Sequence, residues 1–409
     1  MAKARKDSRG YALRTGECER KDGRYSYSYT DKKGERHIIY GKTLALLRSE
    51  EKKLEKYLLD GVDPFASQKI SLNEQFDHYI NQKFDLKETT KANYIYMYNR
   101  MVRDGFGKRK LATIKYTDVK KFYYELLTER GIKANTLEGV HNAIHPALQL
   151  AVMEEIIRIN PADGVMADIK RSKIWSTPKR RALTRAQQKA LMDYLDDNPE
   201  YTGWIPIVTV LLGTGMRIGE CLGIRWCDLD FDKRFIDVNH TLSDRPVGRE
   251  GKCERHCWEP KTAAGIRKIP MLDEVYEAFL MEYQIQKCLG FCEEEIDGYS
   301  GFVFTSSNGT VYTQTAVNGA LYRIRDSYNK QEEKKAKEEN REPVLLPKFS
   351  AHILRHTFCT RLCENESNIK VIQVIMGHSD IQTTMDIYAD CTEEKKQEII
   401  GNLQGKIFI

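Results

Sequence analysis

The reading of this chain turns on residues 350–390, SAHILRHTFCTRLCENESNIKVIQVIMGHSDIQTTMDIYAD. His352 and Arg355 are three apart, so on a helix they share one face. A Gly377-His378 corner follows, and Tyr388 comes ten residues after His378. Two imidazoles, a guanidinium and a phenol suit an anionic substrate better than a packed core. A guanidinium grips two phosphate oxygens at once, and a phenol hydroxyl can act as a nucleophile. Each feature alone has an ordinary alternative: HxxR on a helix is usually an exposed polar face, and one tyrosine is usually packing.

An upstream segment decides between the two. In Leu212–Glu220, LGTGMRIGE, Arg217 follows a glycine turn and opens a new helix. With it the chain resembles the tyrosine recombinases, the phage-integrase family, and within it the integrases of conjugative transposons. The family signature is an arginine in TGxRxxE, a lysine on a β-turn, HxxR, then GH and a tyrosine. Every element occurs here, in order, across the C-terminal half; any one is weak, and together they are strong. The resemblance implies a catalytic set of Arg217, Lys261, His352, Arg355 and His378, with Tyr388 as nucleophile and Glu220 orienting its neighbours. Lys261 comes from Pro260-Lys261-Thr262, between strands expected at 235–240 and 267–270. Arg267 and Lys268 are rivals for the lysine's role, but they fall after the turn. Residues 246–258 look longer than a tight turn requires. Clustered carboxylates of the two-metal kind do not appear, so neither a metal nor another cofactor is expected.

Composition sets the frame. At 409 residues the chain has room for two to four domains. Charged residues make up 30% and apolar ones 41%, which fits a globular protein with a polar surface. There is no apolar run of transmembrane length, and MAKARKDSRG has no apolar stretch behind its charges, so neither a membrane segment nor a signal peptide is expected. The net charge of +6 is uneven: residues 1–50 hold thirteen Lys+Arg against seven Asp+Glu, and the rest balance. A basic module on a neutral body suggests a separate polyanion-binding unit. The ten cysteines read as reduced thiols. Cys253, His256 and Cys257 could touch one metal, but a structural zinc site needs four ligands, and none is assigned.

The fold class expected is multidomain and mainly α with small β-sheets. Residues 1–62 read as a β-sheet-plus-helix unit: Tyr25, Tyr27 and Tyr29 alternate with small polar residues, a returning strand covers 36–40, and a helix covers 43–59. By resemblance it is an arm-type DNA-binding domain, with Arg24, Tyr27, Lys32, Lys33 and Arg36 as candidate contacts. Residues 61–69, with Pro64, read as a linker. Residues 69–165 carry helical periodicity near 71–83, 88–104, 116–130 and 134–157, and resemble the family's four-helix core-binding domain. Lys87, Lys91 and Arg100 are its main candidate phosphate contacts. A second basic linker, 171–181, leads into an α+β catalytic domain at 178–409. The charged run 330–343 reads as an exposed helical extension or a loop, and 393–403 as a short helix before an apolar tail.

The resemblance implies a site-specific recombinase that joins and excises a mobile element through a covalent 3′-phosphotyrosine and a Holliday junction. It would act as a homotetramer on core-type and arm-type double-stranded DNA sites, helped by an excisionase and a host DNA-bending protein. Its expected place is the bacterial cytoplasm, on the nucleoid. A dimer resolvase, a type IB topoisomerase, a telomere resolvase, a non-catalytic DNA-binding regulator and an RNA-binding protein are weaker readings.

Overall fold

The computed structural model describes residues 5–30, 34, 36–59, 64–84, 86, 88–176, 181–246, 253–260 and 262–389. The chain forms two compact units, Met1–Pro178 and Lys179–Ile409. It is mainly helical, with small antiparallel sheets.

In the first unit, β1 (Glu17–Glu19), β2 (Tyr25–Thr30) and β3 (Arg36–Gly41) form an antiparallel sheet in that order. The pairing Tyr27↔Ile39 and Tyr29↔His37 puts the tyrosine stripe on one face. Helix α1 (Leu44–Leu59) covers that face: Leu47 is fully buried, and a Cβ on Gly41 would lie 2.7 Å from the Leu47 backbone. The other face is left to Arg36, Ile38 and Tyr40, which are exposed, with the Arg20 guanidinium over the Tyr40 ring.

The chain then forms α2 (Pro64–Lys69), α3 (Leu72–Gln82), α4 (Glu88–Tyr98), α5 (Tyr116–Thr128), α6 (Ala134–Met153) and α7 (Val165–Arg171). The stretch expected to be a linker at 61–69 is thus helical from Pro64. A proline suits the first helical position because its missing N–H would have no partner there. Leu137, Val140, Ile144, Leu148 and Ala151 recur at helical spacing along α6 and are buried against α3 and α4. Val165, Met166 and Ile169 join the same core, so the helical body continues past residue 165.

The second unit holds α8 (Arg185–Asp197), α9 (Ile205–Thr214), α10 (Ile218–Gly223), β4 (Leu229–Asp230), β5 (Phe235–Val238), β6 (Thr241–Pro246), β7 (Cys253–Trp258), β8 (Arg267–Pro270), α11 (Asp273–Leu289), α12 (Gln314–Glu338), α13 (Ala351–Asn365) and α14 (Ile369–Met376). Helix α9 is apolar all round because it runs through the core, against α11 and α13. Strands β4, β5 and β8 make one sheet, and β6 and β7 form a hairpin of their own. That hairpin explains the excess length at 246–258.

The charged run beginning at 330 is helical to Glu338. Arg341 folds back on the buried Glu332 at 2.5 and 3.0 Å, and the Val344 N–H donates to the same carboxylate at 3.0 Å. Composition hid this, because the stabilising partner lies nine residues away. Residues 381–389 are helical and carry Tyr388. The helix and apolar tail expected beyond 390 lie outside the described residues.

Candidate active site

Two glycine turns and the residue after the second build the site. Helix α9 ends at Thr214, and Gly215 reverses the chain at φ +62; a Cβ there would lie 2.4 Å from the Phe358 ring. Arg217 is the N-cap of α10. Its backbone N–H donates to Glu220 Oε2 at 2.9 Å, and its Nη1 donates to Glu220 Oε1 at 2.6 Å. One carboxylate therefore caps a helix start and orients a guanidinium, as the negative group favoured at that end should.

The second turn is the end of α14, where Gly377 takes φ +63. The last carbonyls of a helix lack intrahelical donors and carry partial negative charge. Here three consecutive ones each receive an arginine. Arg267 Nε donates to Ile375 O at 2.8 Å, Arg355 Nη2 to Met376 O at 2.5 Å, and Arg217 Nη2 to Gly377 O at 2.7 Å. Arg355 Nη1 also donates to Gly215 O at 2.5 Å, which ties the two glycine turns together. Arg267 Nη2 reaches Glu220 Oε2 at 2.9 Å.

The third piece is the corner residue. His378 Nδ1 is 2.9 Å from Thr384 Oγ1, and its carbonyl accepts from Gln373 Nε2 at 2.9 Å. Burial first, then Arg355, Arg217, Arg267 and His352, push its pKa down to about 4, so it is neutral at pH 7. The Thr384 hydroxyl can donate to Nδ1 or accept from it, and in the tautomer where it donates the ring's proton lies on Nε2. Tyr388 is half-buried against Cys359, Cys363, Ile372 and Met376, at the junction of α13 and α14. His352 is exposed one turn before the buried Arg355.

The electrostatics are lopsided. Two guanidiniums, Arg217 and Arg267, share one carboxylate, Glu220, and a third, Arg355, is held by carbonyls alone. Burial alone would raise the pKa of Glu220, but the hydrogen bond and charge of Arg267, with Arg217, outweigh it and hold the group ionised. Burial, then Arg217, pull Arg355 down to about 9, still cationic at neutral pH. Arg217 has 44% of its side chain accessible, against 5% for Glu220, so the surplus charge has an open side. Such a cradle is shaped for an oxyanion.

The structure thus brings Arg217, Glu220, Arg355 and His378 together, with His352 near enough to act on His378, while Tyr388 packs on the cluster that includes Met376. Lys261 lies outside the described residues. Of its rivals, Lys268 is exposed on the opposite side of β8, while Arg267 is buried in the network. Its place was missed from sequence because only strand alternation distinguishes it from Lys268.

Among the candidate DNA contacts, Arg24 is paired with Asp22 and Arg36 lies on the open sheet face, bonded to Ser28 Oγ at 3.3 Å. Tyr27 faces α1, near Glu51 and Glu55, because the alternation that places Tyr25 inside places it there too. Arg100 is exposed beside Tyr96, and Lys91 is half-buried on α4. Lys32, Lys33 and Lys87 lie outside the described residues. At the cysteine cluster, His256 Nδ1 is 3.1 Å from Asp297, which also accepts from the Cys257 N–H. Among the described residues no group of three or more such side chains could hold a metal ion, and no helix is long and apolar enough to cross a membrane.

The phage integrase family matches residues 181–395, and the DNA binding domain of tn916 integrase matches residues 1–57. The chain therefore belongs to the phage integrase family. Among its relatives, the transposase from transposon Tn916 of Enterococcus faecalis is 30% identical, across 96% of this chain and 95% of that protein. The Tn1549 transposon integrase, solved in complex with transposon right end DNA, has 30% identity and a TM-score of 0.69, covering 81% of this chain and 100% of that one. A lambda integrase tetramer bound to a Holliday junction shares the fold, with a TM-score of 0.50 at 15% identity over 92% of this chain and 95% of that one.

Proposed function

We propose that this chain is a site-specific DNA recombinase, an integrase that cuts and rejoins DNA to move a transposon-like element. The observation that carries the reading is the arginine cradle with its surplus of positive charge, on the turn that follows Met376, a residue Tyr388 packs near. Tyr388 attacks the scissile phosphorus, and the 5′ oxygen leaves as a covalent 3′-phosphotyrosine forms. Arg217 and Arg355 neutralise the charge that grows on the non-bridging oxygens, and His378 donates through Nε2. His352 accepts the phenol proton, and Lys261, assigned by its motif alone, protonates the leaving oxygen. Glu220 aims Arg217. The phosphodiester energy is kept in the protein–DNA bond, so religation needs neither ATP nor, in this scheme, a divalent ion.

Each chain carries one nucleophile, and exchanging both strands of two duplexes breaks four bonds. Four protomers around a Holliday junction are thus the working assembly. The proposed division of labour is arm-site binding by residues 1–62, core-site binding by 69–165 and chemistry by 178–409, with an excisionase and a host bending protein as helpers. The support for the arm module is its match to the DNA binding domain of tn916 integrase and its open face of Arg36, Ile38 and Tyr40.

The test is a nicked core-site DNA carrying the element's end, incubated in EDTA with the native chain or Tyr388→Phe. A protein–DNA band that survives denaturation, formed by the native chain alone, is expected. Binding by both without any such band would overturn the enzyme reading in favour of a DNA-binding regulator.

A further inference from the structure

Arg267 is the unexplained member of the cradle. It has 4% of its side chain accessible, so it is not placed to meet a DNA phosphate itself. Its donors go to three different places: Nε to Ile375 O, Nη1 to Gly265 O at 3.2 Å, and Nη2 to Glu220 Oε2. Through Glu220 it touches the carboxylate that orients Arg217, and through Ile375 the carbonyl next to the one that holds Arg355. The Gly377 corner is moulded around it: a Cβ there would lie 2.8 Å from Arg267 Nη1. A buried ion pair contributes little net stability compared with apolar packing. A planar group with fixed, divergent donors, however, does what no apolar residue or lysine can: it fixes the angle between two helix ends.

We propose that Arg267 is a positioning residue, which locks the start of α10 to the end of α14 and so sets the aim of Arg217 and Arg355 at the scissile phosphate. This rests on the recombinase reading above. Its role is geometric, and it is felt only through the two arginines that neutralise phosphate charge. A lysine keeps the charge but can satisfy only part of the donor set, so Arg267→Lys loosens the lock without leaving Glu220 unpaired.

The experiment measures phosphotyrosyl formation by the full chain on nicked core-site DNA, with either a normal scissile phosphate or a methylphosphonate. The methyl group replaces one non-bridging oxygen and removes one of the two negative charges the phosphorane would carry. Arg267→Lys is expected to slow adduct formation on the phosphodiester about a hundredfold, the scale of a misplacement of about 1 Å. Core-site affinity should change by less than about threefold, and the deficit on the methylphosphonate should shrink to about threefold, because the phosphorane formed there carries one negative charge fewer for the arginines to hold. Equal deficits on both substrates would reduce Arg267 to a folding role and overturn the proposal. If thermal melting shows that the lysine variant does not fold, Glu220→Gln breaks the same link from the other side and must show the same substrate-selective loss; equal losses there also overturn it. No adduct from the native chain on either substrate would overturn the recombinase reading, and this inference with it.

Discussion

Each unit of the molecule holds a cluster of buried charge, and the two are built on opposite terms. In the first unit, Glu17 is fully buried and accepts from Arg48 Nε at 2.9 Å, Arg48 Nη2 at 3.0 Å and the Arg14 N–H at 2.7 Å. Glu51 lies beside it, with Arg14 at 3.7 Å. Two carboxylates and two guanidiniums find their partners within the cluster, which fastens α1 to the sheet. In the second unit Arg217 and Arg267 both bond Glu220, and Arg355 adds a third guanidinium held by backbone carbonyls, with no second carboxylate in the network among the described residues. A balanced cluster completes a fold, whereas an unbalanced one awaits a counter-charge. In the cradle the remaining lone pairs come from helix carbonyls, which attract cations without cancelling their charge. Surplus charge, more than burial or hydrogen bonding, separates the site from the scaffold.

Removing one arginine from each cluster gives the sharpest test of that contrast. Arg217→Met should slow adduct formation about a hundred- to a thousandfold, the usual loss when one transition-state donor is removed. Its melting temperature should move little, since the side chain is partly exposed and Glu220 keeps Arg267. Arg48→Met should do the reverse. It strands the buried Glu17 and costs on the order of 3 kcal/mol in unfolding, while adduct formation on a core-only DNA stays within about threefold. Rate assays and chemical denaturation on both variants check the crossing. A large rate loss from Arg48→Met would erase the distinction.

The catalytic constellation was legible in the sequence because its chemistry is carried by short local motifs. LGTGMRIGE had to place Arg217 at a helix start after a glycine reversal, and HxxR had to put His352 and Arg355 on one helical face. What could not be read was the long-range part. Nothing local says that Ile375, Met376 and Gly377 each take an arginine from a different element, or that Arg267 turns inward while Lys268 turns out. The same limit hid the β6–β7 pairing, whose partners run from Pro246↔Cys253 out to Thr241↔Trp258. It also hid the helical start at Pro64, inside the stretch read as a linker. The tyrosine stripe was legible as a strand, but which face α1 covers depends on the register and on where Leu47 lands.

A titration carries the contrast to the histidines. His378 is pushed down to about 4 by burial and then by the arginines of the cradle, and His141, 3.0 Å from the Tyr123 hydroxyl, is pushed to about 4 by burial, then by His145 and Lys170. Both folded values lie below the unfolded one, so between roughly pH 6.5 and 4 the unfolded chain takes up protons that the native chain refuses. Stability therefore holds above that window and falls through it, by up to about 3 kcal/mol for each group. A bound phosphate should separate the two: with core-site DNA on Tyr388→Phe, His378 should rise by about one unit or more, as a group gaining an opposite charge does. His141 should stay where it is. Histidine ring NMR titration, with and without DNA, reads both; an unmoved His378 would mean that it does not face the phosphate.

The smallest effect expected comes from the two buried glutamates, whose shifts have opposite signs. Arg267 and Arg217 keep Glu220 ionised, whereas Glu51 is raised by burial, then by the charge of Glu17, to about 7. Glu51 Oε1 is also buried without a hydrogen-bond partner. A folded value above the unfolded one means that this group's contribution is fully present below about pH 4.5 and is lost as pH rises toward 7. Glu51→Gln mimics the protonated form and should remove that loss. The Arg14 pair it gives up is long and half-exposed, worth about 0.5 kcal/mol or less. The variant should match the native chain near pH 5 and melt slightly higher at pH 8, a gain on the order of 1 kcal/mol. Thermal melting of the full chain across that range decides it. A variant that melts lower at pH 8 would show that Glu51 is a needed negative charge, and the two clusters would then differ less than their hydrogen bonds suggest.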